Sequence, residues 1–265
     1  MTEGLSVLVV NAGSSSLKLR LLDPRDDVAG SVDLPAPRGR AEAGAVRDAV
    51  QGLGQVDAVG HRVVHGGTRF LGPVRIDDDV VGKLAALTDL APLHQPKSLA
   101  ALEAVGAALP DVPAVACFDT AFHADIPRAA STYALPREWR RRWDLRKFGF
   151  HGLSHSYVAR RAPELLGRPS DNLRLISCHL GAGASLAAIK DGRSVDTTMG
   201  FSPLDGLVMA TRSGSVDPGL VLWLAEHVGM PPGEVAAALE YRAGLLGLAG
   251  ESDMRALLTA EADGR

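Results

Sequence analysis

Two arginines set among glycines have the most chemistry to offer: Arg62 in Val59-Gly60-His61-Arg62 and Arg212 in Thr211-Arg212-Ser213-Gly214. A guanidinium is a planar fork that binds carboxylate or phosphoryl oxygens two at a time. Further polar side chains collect at predicted strand ends and turns: Asn11, His94, Asp119 and His151. Mixed α/β proteins place their sites on such loops. Each residue alone also has a plain reading, since an arginine after a strand is more often one half of a surface ion pair.

The elements that would position them show a duplication. Val7-Leu8-Val9-Val10-Asn11-Ala12-Gly13-Ser14-Ser15-Ser16-Leu17-Lys18-Leu19 is an apolar strand, a turn of small residues and a second strand. Leu175-Ile176-Ser177-Cys178-His179-Leu180-Gly181-Ala182-Gly183-Ala184-Ser185-Leu186-Ala187 repeats that plan. Small residues allow the backbone close approach and unusual dihedrals, so consecutive N–H groups can point at one anion. A single copy would be an ordinary β-hairpin. Two copies, each opening about half of the chain, predict duplicated domains gripping one polyphosphate.

Periodicity fills in the frame. Strands are expected over Leu5–Val10, Leu17–Leu22 and Val28–Leu34 as an antiparallel meander, then over Val56–Val59 and Val112–Phe118. Helices are expected over Ala41–Gly52, Asp77–Leu90 and Ser98–Leu109. In the second half, Ser154–Leu166 reads as helix. Leu173–Leu180, Ser185–Lys190 and Arg193–Thr198 repeat the meander, with a turn at Asp191-Gly192. Helices are expected over Val216–Val228, Pro231–Leu239 and Ser252–Ala260. The pattern predicts an α/β protein with mixed sheets flanked by helices. One domain would cover 1–147 and a second, incomplete one 148–265.

Bulk properties narrow the classes. The net charge of −3 gives no general attraction to nucleic acid or to an acidic membrane. No apolar run approaches the roughly 20 residues that cross a bilayer, and residues 1–6 lack the pattern of a signal peptide. Cys117 and Cys178 sit near the ends of expected buried strands and read as reduced thiols, which makes a reducing cytoplasm the default. Arg137-Glu138-Trp139-Arg140-Arg141-Arg142-Trp143 reads as a solvated helix rather than a nucleic-acid surface. His151 and His155, four apart, lack the Glu of a His-Glu-x-x-His zinc site; the plain reading is a helix start capped by Ser154. No Walker sequence, Gly-x-Gly-x-x-Gly or nucleophile elbow is present.

Several longer segments carry a resemblance. Val9–Lys18, Gly60–Gly67, Ala91-Pro92-Leu93-His94, Phe118–Phe122, Phe148–Gly152, His179-Leu180-Gly181 and Met199–Gly214 resemble, in order, the motifs of acetate kinases. That family is similar in fold to sugar kinases, actin and heat-shock chaperone ATPases, which have two actin-like, ribonuclease H-like domains closing on a nucleotide. The resemblance implies reversible, Mg²⁺-dependent phosphoryl transfer between ATP and acetate, giving ADP and acetyl phosphate. It places Arg62 and Arg212 on acetate and the phosphoryl oxygens, His151 as a donor to the transferring group, and Asp119 as the residue that positions the metal and the arginines. Asn11 falls at a Mg²⁺ position. Ser14, Ser16 and Lys18 face the phosphates, and His94 matches a further site position. Val64, Leu93, Phe150 and Pro203 line the pocket for the acetate methyl. One methylene is worth about 1–3 kcal/mol in such a pocket, so propionate is an expected second acid. His179, Leu180, Gly181, Ala182 and Gly183 form the nucleotide-phosphate turn, and Asp253, Met254 and Arg255 an adenosine-side segment. The family also implies a homodimer.

Two departures qualify the resemblance. Ala182 stands where the family usually has Asn, which removes a side-chain amide. The chain also stops shortly after Arg255, where acetate kinases continue through further strands, an adenosine loop and a late metal-binding Glu. Missing elements would leave an apolar face of the second domain uncovered. A catalytically dead anion-binding or interaction protein of the same fold, and a propionate or butyrate kinase, are therefore the competing expectations.

Overall fold

The computed structural model describes residues 4–13, 16–92 and 94–264. Ser14 and Leu93, two of the expected site residues, lie outside the described residues. Two compact units result, Met1–Ala124 and Asp125–Arg265. The junction expected at 147/148 thus falls inside the second unit. Segment 125–147 is bonded into that unit: the Lys147 ammonium donates to the Thr197 carbonyl at 2.9 Å and reaches Asp196 at 3.0 Å. The Phe201 N–H donates to the Tyr133 hydroxyl at 2.7 Å.

The first unit holds β1 (Val7–Ala12), β2 (Ser16–Leu22), β3 (Val28–Pro35), α1 (Ala43–Leu53), β4 (Ala58–Val63), β5 (Val74–Arg75), α2 (Asp78–Ala85), α3 (Gln95–Ala108) and β6 (Ala114–Phe118). They make a six-stranded mixed sheet in the order β3-β2-β1-β4-β6-β5. The first three strands are the expected antiparallel meander, while β4 runs parallel to both β1 and β6. Alternation decides which face is buried. Leu8, Val10, Leu17, Leu19 and Val59 pack with Val46 and Val50 of α1 and Val105 of α3. Val63, Ala116 and Phe118 pack with Val80 and Leu84 of α2. Each such side chain contributes about 1.5–3 kcal/mol on burial. These helices therefore cover one face, leaving the odd-numbered residues of β1 and the even-numbered ones of β2 and β4 on the other.

Two boundaries differ from the pattern reading. Strand β4 runs to Val63 rather than ending at Val59, because parallel pairing with β6 (Arg62 with Cys117, Val63 with Phe118) carries it on. Arg62 is thus a strand residue. The long helix expected over 77–90 stops at Ala85, and a 3₁₀ turn follows at Thr88–Leu90.

The second unit contains α4 (Arg128–Ser131), α5 (Arg137–Trp143), α6 (Gly152–Leu166), β7 (Arg174–Leu180), β8 (Ala184–Lys190), β9 (Arg193–Thr197), α7 (Pro218–Glu226), α8 (Pro232–Tyr241), α9 (Gly244–Ala249) and α10 (Met254–Ala262). Its sheet is again an antiparallel meander, β7-β8-β9, but has three strands. Helix α5 buries none of its residues, and the Arg142 guanidinium lies 5.0 Å from the Trp143 ring centroid. The outer side of β7 is open: Ile176 is 74% exposed and Leu180 73%. The same alternation exposes Cys178, contrary to the buried thiol expected there, while Cys117 is half-buried.

Candidate active site

In the first unit the strand register assembles a polar group on the face away from the helices. Asn11 pairs with Lys18 across the β1–β2 hairpin, and residues directly opposite share a face. Arg62, two strands away from Lys18, reaches Asn11 and donates to its Oδ1 from NH1 at 2.9 Å. The same guanidinium forks onto Asp119, with Nε 3.2 and 3.0 Å from the two carboxylate oxygens and NH2 2.6 Å from Oδ2. Asp119 follows β6 directly and is buried; its N–H bonds the Val63 carbonyl at 3.0 Å, which ties it to the end of β4. Burial alone would lower the Arg62 pKa, but the charge and hydrogen bonds of Asp119 outweigh it and hold the group above its ordinary value. A guanidinium has five N–H donors. Three are engaged here, so two remain for a ligand among the described residues.

Other expected residues of this unit are less engaged. The Ser16 carbonyl accepts from the Gly13 N–H at 2.8 Å, closing the first small-residue turn. Lys18 is half-exposed and lies 4.0 Å from Asp33, which it shares with Arg20. Val64 is buried. His94 sits at the N-cap position of α3, its N–H bonded to the Ala91 carbonyl at 3.0 Å.

In the second unit, one face of β7 and β8 carries Ser177, His179 and Ser185, since His179 pairs with Ser185 and Ser177 with Ala187. Helix α6 lies against β7 and brings His151, Ser154 and His155 to this face. A four-residue spacing places His151 and His155 on the same side of the helix. The His151 Nδ1 is 2.9 Å from Ser185 Oγ. His155 Nε2 is 2.8 Å from that same oxygen, and its Nδ1 is 2.8 Å from Ser177 Oγ. His179 Nδ1 is 2.9 Å from Ser154 Oγ, and its ring stacks on His151 with centroids 4.1 Å apart.

These contacts replace the plain reading of the Phe150–His155 segment. The N-cap position belongs to His151, with φ of 57°, and Ser154 lies inside the first turn with its hydroxyl turned to His179. A non-glycine residue in the left-handed region costs about 1–3 kcal/mol, and such strain clusters at functional sites. His155 is fully buried, and burial, assisted by the neighbouring His179, pushes its pKa down to about 4.

The second small-residue turn closes with the Gly181 N–H on the Gly183 carbonyl at 3.0 Å, and the Ala182 carbonyl accepts from the Ala210 N–H at 3.1 Å. The Ala182 and Gly183 N–H groups have no acceptor among the described residues. A Cβ at Gly183 would lie 3.2 Å from His151 Nε2 and 3.4 Å from Arg212 NH1. The turn, the imidazole and the guanidinium therefore surround one small space, and a side chain at 183 would intrude on it.

Arg212 is held much as Arg62 is. Its Nε donates to the buried Glu240 at 2.7 Å, and NH1 donates to the Pro203 carbonyl at 3.3 Å. Among the described residues its NH2 donors are unengaged. The loop carrying it is fixed by the linker to α9 and the first turn of that helix: Ala243 N–H to Thr211 O at 3.0 Å, and Leu245 N–H to Met209 O at 2.9 Å. Gly244 makes that approach possible, with φ of 63° and a would-be Cβ only 2.2 Å from the Met209 carbonyl. Phe150 and Pro203 are both buried in this unit. Asp253 caps α10 by accepting from the Arg255 N–H at 2.9 Å, while Met254 and Arg255 are exposed. Among the described residues no hydrogen bond joins these three to the turn at 179–183; those they make stay within 251–259.

Pattern reading missed Glu240, Ser177 and Ser185. The serines sit on the buried faces of β7 and β8, beside Leu175, Ala187 and Ile189, where alternation marks core rather than site. Glu240, an acid at the end of the apolar helix α8, had no local signal for its partner 28 residues earlier.

Among the described residues no cluster of three or more His, Cys, Asp or Glu could cage a metal. The donor set fits a different arrangement. Asn11 Oδ1 and the Asp119 carboxylate are brought together by Arg62, one carbonyl and one carboxylate. Mg²⁺ keeps several waters and is commonly held by one or two carboxylates plus substrate phosphates.

The Acetokinase family profile matches residues 42–265. The acetate kinase of Geobacillus kaustophilus is 43% identical, over 97% of this chain and 73% of its own length. The crystal structure of Porphyromonas gingivalis acetate kinase superposes with a TM-score of 0.86 at 36% identity, covering 98% of this chain and 74% of that one. A propionate kinase from Francisella tularensis superposes at 0.90 with 35% identity and the same coverage. The chain belongs to the acetokinase family and spans about three quarters of the length of these relatives.

Proposed function

We propose that this protein transfers the terminal phosphoryl group of ATP to acetate, reversibly, giving ADP and acetyl phosphate. The observation that carries the reading is the convergence of His151 Nε2 and Arg212 on the Gly181–Gly183 turn, in a chain of this family. An acetate carboxylate is already a competent nucleophile at neutral pH, so no strong base is required. One acetate oxygen forms a bond to the γ-phosphorus as the bond from that phosphorus to the ADP oxygen breaks. Transfer of this kind depends on positioning and on stabilising charge on the equatorial oxygens. Arg62 and Arg212, each fixed by a buried carboxylate, offer their remaining N–H donors to the acetate and the phosphoryl oxygens. His151 donates from Nε2, and the Ala182 and Gly183 N–H groups meet the nucleotide phosphates. Lys18 and Ser16 add to the phosphate side, and Asp253–Arg255 to the nucleoside side.

Mg²⁺ entering on the phosphates would be held by Asn11 and Asp119 and would neutralise charge on the β- and γ-oxygens. Asp119 serves chiefly by holding Arg62. Val64 of the first unit and Phe150 and Pro203 of the second supply apolar surface suited to the acetate methyl, and propionate is a second acid. No described helix is long and apolar enough to cross a membrane; two free thiols suit a reducing cytoplasm. The exposed apolar residues of the second unit suit a homodimer.

A second reading is favoured by Ala182 in place of an amide and by the open face of the three-stranded sheet: an anion-binding protein without turnover. Two measurements separate them. The kinase forms acetyl phosphate from ATP, Mg²⁺ and acetate, and binds ADP in calorimetry. The anion binder takes acetyl phosphate with no heat from ADP and no turnover, and that outcome would reject the kinase.

A further inference from the structure

Ser185 Oγ sits between two imidazoles, 2.9 Å from His151 Nδ1 and 2.8 Å from His155 Nε2. A serine hydroxyl has one proton to donate. Among the described residues these two nitrogens are the only side-chain partners of this buried oxygen, so it donates to one ring and accepts from the other. This couples their proton positions: one of the two nitrogens facing Ser185 carries a hydrogen and the other is bare. His155 is fully buried and its pKa is pushed down to about 4, so at neutral pH it has a single ring proton. Ser177, itself buried, meets the other nitrogen of His155 at 2.8 Å.

Two directions of the chain are then open. In one, Ser177 donates to His155 Nδ1, His155 Nε2–H donates to Ser185, and Ser185 donates to His151 Nδ1. A neutral His151 then carries its proton on Nε2, the nitrogen beside Gly183 and Arg212. In the other, every bond reverses and His151 is protonated at Nδ1. The proposed transfer asks for a donor at Nε2, where an anionic oxygen would sit beside the Arg212 guanidinium.

We propose that Ser177, His155 and Ser185 form a relay of positioning residues that fixes His151 as the neutral tautomer with a bare Nδ1 and the proton on Nε2. The proposal rests on the phosphoryl-transfer reading for its catalytic meaning, but the tautomer itself is measurable without turnover. The relay lies behind His151, inside the unit, and touches no substrate. Its contribution is the direction of one proton, which decides whether His151 donates to the phosphoryl group or repels it. A lost donor to developing charge typically costs about 10²–10³ in kcat.

The test is ¹⁵N NMR of the histidine-labelled full chain. The expected spectrum has His151 Nδ1 as an unprotonated nitrogen and Nε2 as a protonated one. Ser177→Ala removes the hydroxyl at the far end of the relay without touching His151. The direction of the relay is then no longer set, so the His151 proton should spread over Nδ1 and Nε2 and kcat should fall about 2–5-fold while the KM values stay within about threefold. Ser185→Ala should leave His151 as a mixture of tautomers with a similar loss. Two results would overturn the relay: Nδ1 protonated in the native protein, or a His151 tautomer unchanged in Ser177→Ala that still gives a native spectrum elsewhere. Native tautomers as expected in a protein with no turnover would instead uphold the relay and reject the kinase reading.

Discussion

Replacing Gly183 by alanine separates chemistry from folding. Gly183 does not have a positive φ, so alanine fits its backbone without strain. What it does not fit is the neighbours. The new Cβ would lie 3.2 Å from His151 Nε2, 3.3 Å from His151 Cε1 and 3.4 Å from Arg212 NH1. Ordinary carbon contacts begin at about 3.5 Å, so the imidazole must retreat by a few tenths of an ångström. His151 has little room to do so, because Ser185 holds Nδ1 and His179 stacks on the ring. Misplacement by about 1 Å can cost roughly 10²-fold in rate, so a few tenths alone costs about 3–10-fold. Under the proposed transfer the methyl would also take space from the phosphoryl oxygens, and the expected loss in kcat/KM is about 30-fold. Stability should move the other way: removing a glycine restricts the unfolded chain and is worth about 0.4–1 kcal/mol where the backbone permits it. Steady-state acetyl phosphate formation and urea denaturation together give the answer. A variant with kcat/KM within twofold of native would refute the placement of the reacting group at this turn. A variant that lost several kcal/mol of stability would show that Gly183 serves folding instead.

Asp119→Ala strips the partner from Arg62 and should destabilise the first unit by about 2–3 kcal/mol, less than the full cost for a buried pair because the Arg62 side chain is 31% exposed. Equilibrium unfolding should also show Asp119→Asn to be milder, since the amide oxygen still accepts from the guanidinium. Stability should fall in acid for a separate reason. His61, His65 and His155 have pKa values pushed down to about 4, in each case chiefly by burial, against 6.5 unfolded. The unfolded chain then binds more protons between those values, so this stabilisation is complete above pH 6.5 and is lost as the pH falls towards 4. At 1.36 kcal/mol per unit each contributes at most about 3 kcal/mol, and a flat denaturation midpoint between pH 7 and 4.5 would contradict the buried neutral rings.

The frame was readable because alternation and turn residues write it locally. Leu17, Leu19 and Leu21 against Lys18 and Arg20 specify both the strand and its buried face, and the two small-residue turns mark both meanders. Boundaries failed where tertiary pairing decides: β4 extends through Arg62 only because β6 lies beside it. The two-residue strand β5 and the helix α9 were missed, being too short to show a period. At the site, residue types named Arg62, Asp119, His151 and Arg212, but their partners depend on register. Lys18 proved to pair with Asp33, its neighbour across the hairpin to β3. Ser154 and His155 read as a helix start because the serine-bearing face of β7 and β8 that receives them comes later in the chain.

The most direct test compares kcat/KM for acetyl phosphate formation in the native protein with Arg62→Lys and Arg212→Lys. Lysine keeps the positive charge but loses the fork, so any deficit reports planar, two-point contact with the reacting anions. Each variant should fall by at least about 10²-fold, roughly 2.7 kcal/mol of transition-state stabilisation, in a protein that is otherwise folded and turns over. Native rates in either variant would contradict the assignment of the guanidinium pair to the phosphoryl group.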